Sequence, residues 1–147
     1  MCIRDRFESV APELILWPVA AHLALVVFLY VWLTAARAIA VSKGETAYND
    51  FQFGDGDSLS AARVSRNLSN QFEAPVLFYA LAAILFAAEA VTPAQLALAW
   101  LFIAGRLAHT MVQTLTGNVR LRGQIFTINF LALIAMWALF LYSRLVQ

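Results

Sequence analysis

Arg63, Arg66, Asn70 and Glu73 follow one another at intervals of three, four and three residues in the stretch RVSRNLSNQFEAPVLFY, residues 63–79. On a helix turning about 100° per residue they fall within roughly a quarter-turn of surface, with Asn67 just beside them. That is one polar face. It runs toward the membrane, because Glu73 sits about where hydrocarbon begins and the residues from Ala74 onward are almost wholly apolar. A second stripe comes later in the chain, where Arg106, His109 and Gln113 are spaced three and four residues apart. Two such stripes can face one another.

Guanidinium groups, one embedded carboxylate and several amides suit a ligand that is mostly anionic, carries one cation and hydrogen-bonds like a peptide. Glutathione has that pattern. Its carboxylates match Arg63, Arg66 or Arg106, its amino group matches Glu73, and its amides match Asn70 or Gln113. An arginine beside the thiol would stabilise the thiolate, which is the reactive form. Anionic lipid headgroups or a quinone fit the same groups. The plainer alternative is structural: Arg66 and Glu73 snorkel or pair near a helix end, and Arg106 is an ion-pair partner of Glu73. Against it, a charge at mid-membrane depth costs ~2.5–3.5 kcal/mol even on a lenient insertion scale, and such residues usually mark a functional interior.

The elements that must position these groups follow from composition. The 147 residues are 62% hydrophobic and 13% charged, where a soluble domain carries about a quarter of its residues as charge. Ten Lys/Arg nearly balance nine Asp/Glu, so no field suggests a nucleic-acid partner. Cys2 is the single cysteine, which excludes an intramolecular disulfide, a cysteine metal cluster and a Cys/His nucleophile pair, and no metal centre is expected. The polar opening residues 1–6 (MCIRDR) have the character of a start-site artefact, and a single domain is assigned to residues 7–147.

A helix needs ~20 mostly apolar residues to cross ~30 Å of hydrocarbon. Four stretches qualify, at about residues 14–36, 74–91, 94–115 and 125–142, the second continuing a polar helical segment that begins near Ser58. The fold class is therefore all-α, an integral membrane four-helix bundle in the lipid bilayer. Residues 41–60, rich in Gly, Asp and Ser, form the one long irregular connection and a candidate substrate-side loop. Arg37, Lys43, Arg63 and Arg66 flank the first loop, Arg120 and Arg122 the third, and the second has no basic residue. Loops one and three are thus expected on the cytoplasmic side and both termini outside. His22, alone on an apolar span, reads as structural, and the four tryptophans as lipid-facing or interfacial.

Arg66, Asn70, Glu73 and Pro75, then Gly105-Arg106-Leu107-Ala108-His109-Thr110, then Arg122 make up a pattern that resembles the MAPEG family, the membrane-associated proteins of eicosanoid and glutathione metabolism. The resemblance covers roughly residues 14–141 and is nearest to bacterial members. It implies a bacterial inner-membrane protein that assembles as a homotrimer and binds glutathione as co-substrate between neighbouring subunits near the cytoplasmic side. Carried over by position, Arg66, Asn70 and Glu73 contact glutathione, with Arg106 in the same pocket. Arg63 is a further candidate from its place on the stripe, and His109 is either a ligand contact or a neutral interhelical hydrogen-bonding group. Arg122 takes the place of the catalytic arginine that activates the thiol, with Arg120 as its competitor. The chain departs from the eicosanoid-synthesising relatives at His109 and Gln113, where they have aromatic hydroxyls, and at Gly123, where they have a serine.

The leading expectation is a glutathione-dependent transferase or peroxidase acting on a lipophilic small-molecule electrophile that arrives from the bilayer. The alternative is a non-catalytic membrane protein of the same fold that binds a lipid or a protein partner. A proton or ion pathway through Glu73, Arg106 and His109 is the weakest option, since Glu89 near the opposite face is the only further acid available to it.

Overall fold

The computed structural model describes residues 9–53 and 56–146, so the assignment made for residues 1–6 lies outside the described part. Among the described residues, five α-helices make four membrane-length spans: α1 (Leu16–Ser42), then α2 (Leu59–Asn70) and α3 (Ala74–Ala87) stacked into one span, α4 (Pro93–Leu115) and α5 (Val119–Leu145). There is no strand among the described residues. Helices α1 and α5 run well past the expected hydrocarbon limits, because the helical hydrogen-bond ladder does not stop where apolar composition does. A 3-10 turn, Pro12–Ile15, leads into α1 and leaves Pro18 in the first helical turn, where a missing N–H costs nothing.

The helix ends are encoded locally. Ser58, Thr92 and Asn118 cap α2, α4 and α5, their side-chain oxygens accepting from the backbone N–H groups of Ala61, Gln95 and Leu121. Helix α1 ends where Gly44 takes φ +71° and the Glu45 N–H reaches back to the Ala40 carbonyl, the C-terminal lock that only a left-handed residue permits. The same lock closes α3, with Glu89 at φ 50° and the Ala90 N–H on the Leu85 carbonyl.

Two expectations need correction. The second span is not one continuous helix, since it breaks at residues 71–73 and restarts with Pro75 in the first turn of α3. Proline has no N–H to offer the carbonyl four residues earlier, that of Gln71, and its ring collides with it. The stripe therefore ends at Asn70, and Glu73 belongs to the break rather than to the α2 surface. The loop over residues 41–60 is also less irregular than its composition implies. It holds a 3-10 helix, Tyr48–Phe53, where Asp50 Oδ2 accepts from the Ala47 N–H at 2.7 Å and from Thr46 Oγ1 at 3.1 Å.

The apolar core forms two clusters. One joins Phe78, Leu81 and Leu85 of α3 to Ala99, Phe102 and Ile103 of α4 and Leu133 and Met136 of α5, with Phe78 and Phe102 stacked at 4.9 Å between centroids. The other joins Leu25, Val26, Leu29 and Leu33 of α1 to Ala61, Val64 and Leu68 of α2. Around both, large apolar side chains such as Leu23, Val27, Phe28, Leu101 and Leu131 remain exposed, as a lipid-facing surface requires.

Helix α4 packs most extensively on α5, and Gly105 sits tightly against Asn129 in this contact. A Cβ added there would lie 3.0 Å from Asn129 Cγ and 3.1 Å from its Oδ1. Gly105→Ala is therefore expected to lower stability by about 1–3 kcal/mol, the usual cost of overpacking. Thermal unfolding in detergent is the measurement, and a midpoint equal to the wild type would mean that the helices separate freely at this contact.

Candidate functional site

Where the second span breaks, the backbone turns Gln71 inward, and this amide becomes the hub of a buried polar network. Gln71 is 1% exposed. Its Oε1 accepts from Arg106 Nε at 3.1 Å and from His22 Nε2 at 3.0 Å, while its Nε2 donates to the Asn67 carbonyl and to Asn67 Oδ1, both at 3.1 Å. Both lone pairs and both amide hydrogens are thereby used. The partners also fix the histidine tautomer: His22 Nε2 carries the proton, and Nδ1 accepts from the Tyr79 hydroxyl at 2.6 Å.

Arg106 is wholly buried in α4. Besides its bond to Gln71, its Nη2 donates to the Asn70 carbonyl at 2.9 Å, an acceptor left over by the end of α2, and Nη1 has no partner among the described residues. No carboxylate lies within 4.0 Å of it among the described residues, so the alternative of a direct Arg106–Glu73 ion pair is not what the single chain forms. Neutral oxygens take that role. The network sits at the seam between the two apolar clusters, as His22 falls between Val19 and Leu25 on α1, and Gln71 between Leu68 and Phe78.

At the end of the bundle where α1, α2, α4 and α5 meet the first and third loops, a cleft of about 540 Å³ opens, within the size range of small-molecule sites. Arg63 and Arg66 from α2 and Arg122 from α5 line it, together with Gln113, Asp57, Ser65 and Asn118. Gln113 joins the cleft to the network, since its Oε1 accepts from Asn70 Nδ2 at 3.1 Å. None of the three arginines has an acidic partner within 4.0 Å among the described residues. The single carboxylate among the described residues of the wall, Asp57, is already held through both oxygens by Arg37, at 2.6 and 2.8 Å. Among the described residues, the cleft thus carries three guanidinium groups and one carboxylate that is already paired.

The residues singled out in the sequence thus divide into three groups. Arg63, Arg66 and Arg122 share the cleft, while Asn70 and Arg106 belong to the adjoining network. Glu73 is exposed at the head of α3, and His109 is buried, with Nδ1 unpartnered and its ring 6.0 Å from that of Phe126. Arg120 points elsewhere, into an apolar hollow with Leu121, Ile125 and Ile128. Sequence reasoning missed Gln71, Tyr79, Arg37 and Asp57. For Gln71 a signal existed: it follows Val64 and Asn67 at helical spacing, on the face that α2 buries.

Four membrane-length helices around a buried arginine–amide network, opening on an arginine-lined cleft at one end, define an integral membrane protein. The model of the MAPEG family matches residues 15–142, nearly the whole described chain, and the protein belongs to that family. No curated protein and no solved structure matches the chain.

Proposed function

We propose that this chain is a glutathione-dependent transferase or peroxidase acting on lipophilic electrophiles from the bilayer. The observation that carries the reading is the cleft of Arg63, Arg66 and Arg122, whose one wall carboxylate is neutralised by Arg37. Three guanidinium groups with no acidic partner among the described residues suit a ligand with two carboxylates and an acidic thiol. In this reading Arg63 and Arg66 bind the carboxylates, and Gln113 and Asn70 meet the peptide groups. Arg122 stabilises the thiolate, which attacks the electrophile as nucleophile.

Glu73 is exposed in the single chain and so is available to a neighbouring copy. We assign the functional unit as the family's homotrimer, with Glu73 reaching the ligand's amino group at a subunit boundary. The basic residues gathered around the cleft end, against Val10 and Val91 joined by a 2.9 Å backbone bond at the other, favour a cytoplasmic cleft in a bacterial inner membrane.

Isothermal titration of detergent-solubilised protein with glutathione is the primary test. Binding is expected below millimolar concentration and weakens with added salt. No heat at millimolar glutathione would overturn the reading and leave the non-catalytic, lipid-binding alternative, for which native mass spectrometry with a retained lipid is the positive sign. A conjugation assay with a generic aromatic electrophile then separates enzyme from binder. Glu73→Gln is expected to reduce kcat/KM about tenfold or more, the effect of a lost charge-assisted contact.

A further inference from the structure

The pair formed by Arg37 and Asp57 does more than tie a loop. Arg37 lies near the end of α1, and Asp57 immediately precedes the Ser58 cap of α2. The Asp57 side chain is only 4% exposed, and both its oxygens are engaged by Arg37 Nε and Nη2. The same guanidinium lies over the Phe51 ring at 5.1 Å, so one side chain gathers the 3-10 helix and the head of α2. Thr46 Oγ1 adds a tie to the Gly56 carbonyl at 2.9 Å.

Asp57 also lines the cleft that Arg63 and Arg66 enter from the next two turns of α2. A carboxylate so placed has two possible sets of partners: Arg37 outside the cleft, or the arginines inside it. In the second arrangement it would act as an internal competitor for any anionic ligand. The observed geometry commits it to the first, with two parallel N–H to oxygen bonds, the strongest arrangement open to an arginine and a carboxylate.

We infer that Arg37 is a positioning residue for the cleft: by holding both oxygens of Asp57 it keeps that carboxylate off Arg63, Arg66 and Arg122 and so leaves them free for an anionic ligand. The inference rests on the reading of the cleft as an anion site, and not on which anion it takes. Arg37 touches no ligand in this account and acts through Asp57.

The test is a titration of the full-length protein in detergent with two probes, inorganic sulfate and glutathione, over Arg37→Ala, Asp57→Asn and the double variant. Arg37→Ala is expected to raise the sulfate Kd about tenfold, as the released carboxylate occupies the arginines. The double variant should return the Kd to within a factor of about three of the wild type, because the competitor is gone. Asp57→Asn alone should leave the Kd within a factor of about three of the wild type, since the carboxylate it removes is already held off the arginines, and this variant decides the matter if Arg37→Ala fails to fold.

A merely structural fastening predicts the opposite pattern, with the double variant and Asp57→Asn both as weak as Arg37→Ala, because each breaks the same tie. Either result overturns the inference, as does a wild type that takes up neither probe. A wild type that binds sulfate but not glutathione would refute the glutathione assignment while the sulfate series still decides the role of Arg37.

Discussion

Arg122→Ala will reduce turnover of a generic aromatic electrophile by about 100- to 1,000-fold, the scale of losing one preorganised group that stabilises developing or resting negative charge. Glutathione binding should weaken far less, because Arg63 and Arg66 still line the same cleft from α2. The split matters more than the size. An arginine that only binds would raise KM and leave kcat in place, whereas one that stabilises the thiolate lowers kcat and the ultraviolet absorbance of the bound thiolate together. Arg120→Ala is the internal control. Arg120 is two residues away but faces an apolar hollow outside the cleft, so its removal is expected to change turnover by less than about threefold. Equal losses in the two variants would mean that general basicity at the head of α5, and not position in the cleft, drives the chemistry.

The membrane spans were legible from composition because hydrocarbon thickness is a severe length filter and the chain has few charges with which to blur it. The site was legible only in part. The spacing of Arg63, Arg66 and Asn70 holds because these residues share an intact helix, α2. It fails at Glu73 because Pro75 removes the hydrogen bond that would have carried α2 onward, and a phase of 100° per residue has no meaning across a break. Pro75 was visible in the sequence, and its first-turn preference could have placed the restart.

Arg122 and the α2 arginines come together through the packing of α4 between α2 and α5, a tertiary fact that no local pattern encodes. The Arg37–Asp57 pair is of the same kind: its members are 20 positions apart, across a loop whose composition suggests only irregular chain. His22 illustrates the reverse case. It was readable as structural from its isolation on an apolar span, while its partners Gln71 and Tyr79, 49 and 57 positions away, were not.

The break in the second span also explains how a wholly buried arginine is tolerated next to the cleft. Ending α2 at Asn70 releases a backbone carbonyl that would otherwise be consumed by the helical ladder, and Arg106 uses it. The turn then directs the Gln71 amide to the same guanidinium. The interruption thus adds a backbone acceptor, the Asn70 carbonyl, to the side-chain acceptor that Gln71 provides, and the cation is held by two neutral oxygens.

Gln71→Leu should accordingly be among the most damaging substitutions in the chain, with a loss of about 3–5 kcal/mol, the cost of breaking a buried charged arrangement from one side. Four links vanish at once, and the donors of Arg106 and His22 are left facing a methyl group. Hydrogen bonds inside membrane proteins average only about 0.6 kcal/mol each, so four independent bonds would account for roughly 2.4 kcal/mol. A larger loss identifies the uncompensated guanidinium as the decisive cost. Gln95→Leu provides the contrast within the same bundle. Gln95 is 2% exposed and donates once, to the Met136 carbonyl at 3.0 Å, while its own Oε1 is buried without a partner. Replacing it removes one bond and one unsatisfied oxygen together, which should change stability by less than about 1 kcal/mol in either direction. Chemical or thermal unfolding of both variants in the same detergent measures the difference, and losses of equal size would show that Gln71 is one buried amide among others and not the support on which Arg106 depends.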